Sequence, residues 1–262
     1  TTTTNNEKRP DHLLPKAANF ICYRHDEFLP SENMLATLPM FFLHNGAQPS
    51  TTQRNELRKW FWATALGQRY SGRGYRRNII SDLGFFQRLA RHRGRFVLEE
   101  RVDKSDLAKS QYTRSAAITN AFFCLLAMRK PRRFSNGEPI PTQIASARAN
   151  KKNKHHIFPK ALLQSQSIGY KDYNSICNIC FLPAEENQEI GRRRPSDYFC
   201  DVRKNGRFGT TMKSHLISHM TGAGIWNGSV KKGFRQFRRE RLNLLCKAFE
   251  QEAGIKLFKK DS

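Results

Sequence analysis

Two adjacent histidines, His155 and His156, open the run His-His-Ile-Phe-Pro, and two asparagines follow at Asn178 and Asn187. The intervals are 22 residues from His156 to Asn178 and nine from Asn178 to Asn187. Imidazole ordinarily titrates near neutrality, so it serves either as a general base or as a neutral metal ligand. A pair of imidazoles beside amide side chains suits hydrolysis of a phosphodiester. That reaction needs an activated water, charge neutralisation at the phosphoryl oxygens and help for the departing 3′ oxygen. A base within hydrogen-bond reach of the water meets the first need. One divalent cation meets the other two.

The elements around these residues are short. Lys154 to Phe158 reads as a strand, and Asn178 to Leu182 as a second strand ended by Pro183. Ala184 to Ile190 reads as a helix stopped by Gly191, and Pro195-Ser196-Asp197 starts another. Neighbouring residues on a strand point to opposite faces, so His155 and His156 can address one centre only where the strand twists or ends.

Upstream the pattern is helical. Pro30-Ser31-Glu32-Asn33 begins a segment carrying Met34, Leu35, Leu38, Phe41 and Phe42 that His44-Asn45-Gly46 ends. Ser50 or Thr51 caps a second helix with Leu57, Trp60, Phe61 and Ala65 at helical spacing, stopped by Gly67. Trp60 and Trp62 cannot share a helix face, and Trp60 with Phe61 is expected to pack inward. Ile79, Ile80, Leu83, Phe86 and Leu89 mark a third helix, and Thr113 to Met128 a fourth that is apolar nearly all round, as in the middle of a bundle. Prolines and a glycine between 131 and 142 form a loop. Ser229 to Ala253 reads as a long basic terminal helix with Phe234, Phe237, Leu242, Leu245 and Phe249 on its apolar side. The polar segment 1–28 shows no period.

Lys and Arg number 46 against 22 Asp and Glu, a formal charge of +24. Such a surface repels itself unless a polyanion shares it, which points to nucleic acid. The basic clusters are spread along the chain, as a folded positive face would require. With 38% hydrophobic and 26% charged residues, the balance is that of a globular protein and not a disordered one. No apolar run reaches the roughly 20 residues of a membrane span. No secretion signal opens the chain, so the six cysteines are expected to be reduced, buried thiols in a cytoplasmic protein.

The paired histidines followed by Ile-x-Pro, with Asn178 and Asn187 on a strand–strand–helix frame, resemble the HNH (ββα-metal) endonuclease motif. The resemblance implies that His155 reaches the metal and His156 activates water. Asn187 supplies a neutral oxygen to the same metal, and Asn178 holds the loop that keeps His156 in place. It implies Mg²⁺ or Mn²⁺ as cofactor. Imidazole in place of carboxylate also admits softer ions such as Zn²⁺ or Ni²⁺. Further runs narrow the likeness: Leu57-Arg58-Lys59-Trp60-Phe61-Trp62 with Arg69-Tyr70-Ser71-Gly72, Asn174 through Pro183, Glu186-Asn187, and Arg194 through Phe199. They resemble GmrSD-type modification-dependent restriction proteins of bacteria and archaea, whose build is shared by SspE-type proteins responding to phosphorothioate DNA. The nucleotide-using sensor half of that family has no counterpart here. The chain is therefore expected to be the effector half, as a fragment or a separate subunit, partnered by an N-terminal sensor and acting on double-stranded phage DNA.

Weaker signals have two readings each. Cys177-x-x-Cys180 has zinc spacing but no second ligand pair nearby, which favours apolar packing. His215 and His219 stand four apart without the glutamate of a metalloprotease helix, which favours a helix-surface or capping role. The turn Arg69 to Gly74 lacks the Lys-Ser/Thr of a phosphate loop and is either a phosphate contact through Arg69 and Arg73 or a structural turn. Arg192, Arg193 and Arg194, with Lys154 and Lys160 beside the histidines, are candidate DNA contacts or a solvated charge run.

The expected architecture is mainly α (α+β): a helical bundle with an inserted ββα-metal hairpin and a basic C-terminal helix. It divides into a helical domain, 1–140, and an HNH nuclease domain with C-terminal helices, 141–262. The expected activity is metal-dependent nicking of DNA by one centre. The alternatives are a non-catalytic DNA-binding module and an HNH-type ribonuclease.

Overall fold

The computed structural model describes residues 29–46, 48–97, 102–113, 116–141, 154–204 and 206–258. The segment 1–28, with Cys22, lies outside them, as does the side chain of Lys154. The described chain is mainly helical, with one two-stranded antiparallel sheet.

The first segment is two helices, α1 (Glu32–Thr37) and α2 (Pro39–Asn45), where the apolar spacing alone suggests one. Pro39 has no N–H to continue α1, and instead occupies the first turn of α2. Gly46 closes α2 at φ +66°, a left-handed conformation that glycine adopts without strain. Ser50 then starts α3 (Thr51–Leu66) with a reciprocal capping box to Gln53.

Helix α3 is buried on every side from Trp60 to Leu66. Trp60 meets the edge of Phe86 on α4 (Tyr75–Ala90), at 4.8 Å between ring centres. Trp62, on the other side, meets Phe249 of the terminal helix at 5.7 Å. Trp60 and Phe61 pack inward as expected, and Trp62, on a different side, is buried as well because the terminal helix covers it. The apolar row expected of α4 is corrected, since Ile80 is 70% exposed while Phe85, Phe86 and Leu89 face the core.

Next in order come α5 (Lys104–Lys109) and α6 (Ala117–Met128), the latter buried throughout Ile118–Leu126 as a central helix should be. Helix α6 begins at Ala117, later than the expected Thr113. After the loop at 131–141 come β1 (Lys154–His156), α7 (Lys160–Ser165), α8 (Tyr170–Tyr173) and a single 3₁₀ turn, Ile176–Asn178. Then follow β2 (Ile179–Phe181), α9 (Ala184–Ile190), α10 (Pro195–Arg203), α11 (Phe208–Ser214) and α12 (Val230–Ala253).

Two apolar cores form, and β2 lies between them. Ile179 and Phe181 pack into the larger core with α3, α6 and the C-terminal half of α12, while Cys180 and Leu182 pack into the smaller one with Phe158, Tyr198, Phe199 and Phe237. Alternation along the strand sends successive side chains to opposite cores. Helix α12 also serves both, Phe234 and Phe237 in the smaller and Leu245 and Phe249 in the larger. The cores consequently interleave in sequence and do not part at residue 140.

Candidate metal centre

Strand β1 pairs antiparallel with β2, His155 opposite Cys180 and His156 opposite Ile179. The ladder stops there. Beyond it the Ile157 N–H donates to the Asn178 carbonyl at 2.8 Å. Asn178, fully buried, then holds Phe158 at both backbone atoms: its Oδ1 accepts from the Phe158 N–H at 2.8 Å and its Nδ2 donates to the Phe158 carbonyl at 3.1 Å. Nδ2 donates also to the Tyr173 carbonyl, 2.9 Å. The carboxamide thus substitutes for the missing ladder rungs and bends the chain immediately after His156. Because the strand ends at this bend, both histidines line one side, although alternation along a continued strand would separate them.

After β2, Pro183 lets α9 begin and Gly191, at φ +54°, ends it. Glu186 turns inward on α9 and accepts from the Phe134 N–H at 3.3 Å, the Ser135 N–H at 2.7 Å and the Ser135 hydroxyl. One residue on, Asn187 is half-buried and faces the histidines' side. His155 and His156 from β1, Pro159, Lys160 and Ala161 at the start of α7, and Ala184, Asn187, Gln188 and Gly191 from α9 and its end line one cavity of about 430 Å³.

Each imidazole is held at one nitrogen and open at the other. The Leu182 carbonyl takes a hydrogen bond from the His155 ring, and the Asn174 side chain bonds the His156 ring. The amide nitrogen of Asn174 already donates to the Tyr112 carbonyl at 2.9 Å and the Tyr170 hydroxyl at 3.0 Å, so its oxygen is the atom left for His156. In both rings Nε2 is buried with no hydrogen-bond partner. Burial pushes His155 down to about 4, against the Leu182 bond that opposes it. Burial also lowers His156, opposed by Asn174 and reinforced by the charge on Lys160. Both rings are therefore neutral near pH 7, with the proton on the held nitrogen and a lone pair on Nε2.

A buried lone pair without a partner costs on the order of 1–3 kcal/mol. Two of them lining one cavity with an amide is the donor pattern of a cation site. His155 and Asn187 fit a divalent ion as a neutral nitrogen and a neutral oxygen ligand, with the remaining positions left to water and phosphate oxygens. Among the described residues no three His, Cys, Asp or Glu side chains are grouped to enclose a metal, so any site here is an open one.

The candidate DNA contacts separate. Lys160 stands exposed at the cavity, its Nζ 5.7 Å from the Tyr173 ring centre. Arg192 is exposed beside Gly191, and Arg73 is exposed in the turn before α4. Arg193 is paired with Asp201 at 2.5 Å, and Arg194 donates to the Gly228 carbonyl at 3.4 Å. Arg69 is a correction. It is 6% exposed and donates to Asp82 at 2.7 Å, where the Trp60 indole and Tyr70 hydroxyl converge on the same carboxylate at 2.9 and 2.7 Å. Its guanidinium neutralises a buried acid and does not reach a phosphate.

The other weak signals resolve in the same way. Cys177 packs in the larger core and Cys180 in the smaller, which leaves no shared zinc position. Cys124, Cys177, Cys180 and Cys246 are buried, whereas Cys200 is exposed, against the expectation of burial. His215 is the C-cap residue of α11, fully buried, and His219 lies beyond the helix.

Three supporting residues carried no role in the sequence reading: Glu186, Asn174, and Tyr198, whose hydroxyl donates to the Ile157 carbonyl at 2.6 Å. Ser135 and Tyr112 lie more than fifty residues from the side chains they meet, so no local spacing signals these contacts.

No protein-family model matches the chain, and no solved structure matches it. It is similar to uncharacterized protein MJ0686 of Methanocaldococcus jannaschii, 24% identical over 161 residues that make up 58% of this chain. The chain spans about a quarter of that protein, 26% of its length.

Proposed function

We propose that the chain is an HNH-type, metal-dependent endonuclease that nicks double-stranded DNA. The observation that carries this reading is that His155 and His156, each with an unpartnered Nε2, line one cavity with Asn187. The antiparallel pair β1–β2 followed by α9 supports it as a ββα frame.

In this mechanism the Nε2 lone pair of His156 accepts a proton from water as the water attacks the phosphorus in line. Asn174 takes the ring's other proton in a hydrogen bond and so keeps the basic nitrogen on the cavity side. As charge grows on the ring, that bond strengthens. His155 and Asn187 would hold the cation, Mg²⁺ or Mn²⁺ before the softer Zn²⁺ or Ni²⁺. When bound, it supplies charge neutralisation at the phosphoryl and leaving oxygens. Lys160 and Arg192 hold the flanking phosphates. One centre cleaves one strand.

As the effector of a GmrSD/SspE-type modification-dependent restriction system, the module would act on phage DNA in a bacterial or archaeal cytoplasm under a separate sensor. The test is relaxation of supercoiled plasmid with Mg²⁺ or Mn²⁺, with EDTA, and with His156→Ala. Metal-dependent nicking lost in the variant supports the proposal. DNA binding without nicking under any of these ions reduces the chain to a binding module, and preferential cleavage of RNA makes it a ribonuclease.

A further inference from the structure

The outer face of α12 carries Lys231, Arg235, Arg239, Asn243 and Lys247 at intervals of four residues, all exposed. Residues four apart on a helix are neighbours on one face. The row of four cations and one amide therefore climbs about 24 Å along the helix while winding about 160° around it, from the helical rise and pitch. Among the described residues none of the four cations has an ion-pair partner. The acids of α12 lie off the row: Glu240 accepts from the Gly224 N–H and the Gln236 amide, Glu250 accepts from the Leu257 N–H, and Glu252 sits in the last turn.

Like charges at this spacing oppose helix formation. The opposite face of the helix is committed to the two cores through Phe234, Phe237, Leu245 and Phe249. It is unavailable for insertion into a lipid surface, which an interfacial helix requires.

The helix that carries the row packs, by its buried side and its flank, on the segments around the candidate centre. Phe158, two residues after His156, packs on Phe234 and Phe237 at 5.3 and 5.1 Å. Arg238, on the flank of the row, pairs with Asp172 of α8 at 2.5 Å, and Tyr173 next to it lies edge-on to His156 at 6.1 Å. At the other edge, Arg194 of the loop after α9 reaches Gly228, just before the helix.

We infer that this row is a backbone-binding track for duplex DNA, holding one strand as it leaves the cavity. The inference rests on the proposed action on DNA, and adds residues outside the candidate centre. A row about 24 Å long is enough for its four cations to reach several phosphates of one backbone. The contacts are to phosphate and carry no base preference.

The experiment is binding of a 30-base-pair duplex in EDTA across a range of salt, comparing the chain with Lys231→Gln/Arg235→Gln/Arg239→Gln/Lys247→Gln. Each lost phosphate contact lowers the slope of log affinity against log salt by about 0.9, so the slope should fall by about 3 to 4. A second variant exchanging Lys and Arg at the same four positions should keep the slope. A slope within one unit of the parent overturns the track. So does tighter binding of an RNA duplex of equal length, or binding to phosphatidylserine vesicles that the fourfold variant loses in the same proportion. With no metal and no cleavage in the readout, a chain that fails to nick still tests the track. A track that fails leaves the nuclease assay unaffected.

Discussion

Asn178 pairs with Phe158 as a strand residue would, accepting from its N–H and donating to its carbonyl through one side chain. This contact lies two residues beyond His156, where the sheet itself has ended. One carboxamide therefore sets the direction in which the paired histidines face. Asn178→Ala leaves the buried Phe158 N–H and carbonyl and the Tyr173 carbonyl without their partner. It should cost about 3 kcal/mol in urea unfolding. Asn178→Asp retains the acceptor but not the donor, and should fall between. If the cavity reading is right, both variants lose nicking at temperatures where they remain folded.

The roles of the three cavity residues separate kinetically. His156→Ala should lower the single-turnover rate by about 10²- to 10⁴-fold, the usual contribution of a general base, with duplex affinity retained. His155→Ala and Asn187→Ala should instead raise the metal concentration needed for half-maximal rate. Asn187→Asp, a harder ligand, should lower that concentration for Mg²⁺. Equal metal titrations in parent, His155→Ala and Asn187→Ala would remove both from the ligand set.

Arg241 is a stability prediction. Its guanidinium is fully buried, donates to the carbonyls of Cys177, Ile179 and His215, and lies over the Phe122 ring at 5.8 Å. It ties α12 to both ends of β2's approach. Arg241→Met replaces the charge with an apolar chain but leaves three carbonyls unpaired, and should destabilise by about 3 to 5 kcal/mol. Arg241→Lys, with one compact donor group, recovers part of this. Urea midpoints compared at constant slope measure it.

His215 predicts an acid-sensitive component of stability. It is fully buried, with Nε2 2.7 Å from the Arg132 carbonyl, and burial pushes it down to about 4. The folded chain thus binds this proton more weakly than the unfolded chain, where the group titrates near 6.5. Its contribution is complete above that value and is lost as pH falls from 6.5 toward 4, by about 3 kcal/mol in all. His215→Gln should flatten the stability profile in this window relative to the parent. Parallel profiles for the two would show that His215 is not the group responsible.

Much of the local frame was legible in the residues. Pro183 and Gly191 bound α9 at the expected Ala184–Ile190, and Ser229 caps α12 where expected. Breakers and caps act on the backbone within a few residues, so they can be read in order along the chain. The excess of positive charge is likewise a property of composition. What required the tertiary structure was every choice depending on distant partners. Trp62 faces inward because α12 covers it, and Arg69 is spent on Asp82. Cys177 and Cys180 part company because β2 runs between two cores, while His155 and His156 line one cavity with Leu182 and Asn174 bonded to their rings and Nε2 left without a partner. Periodicity tells which side of an element differs from the other, but only packing decides what lies against each side and which polar atom is left without a partner.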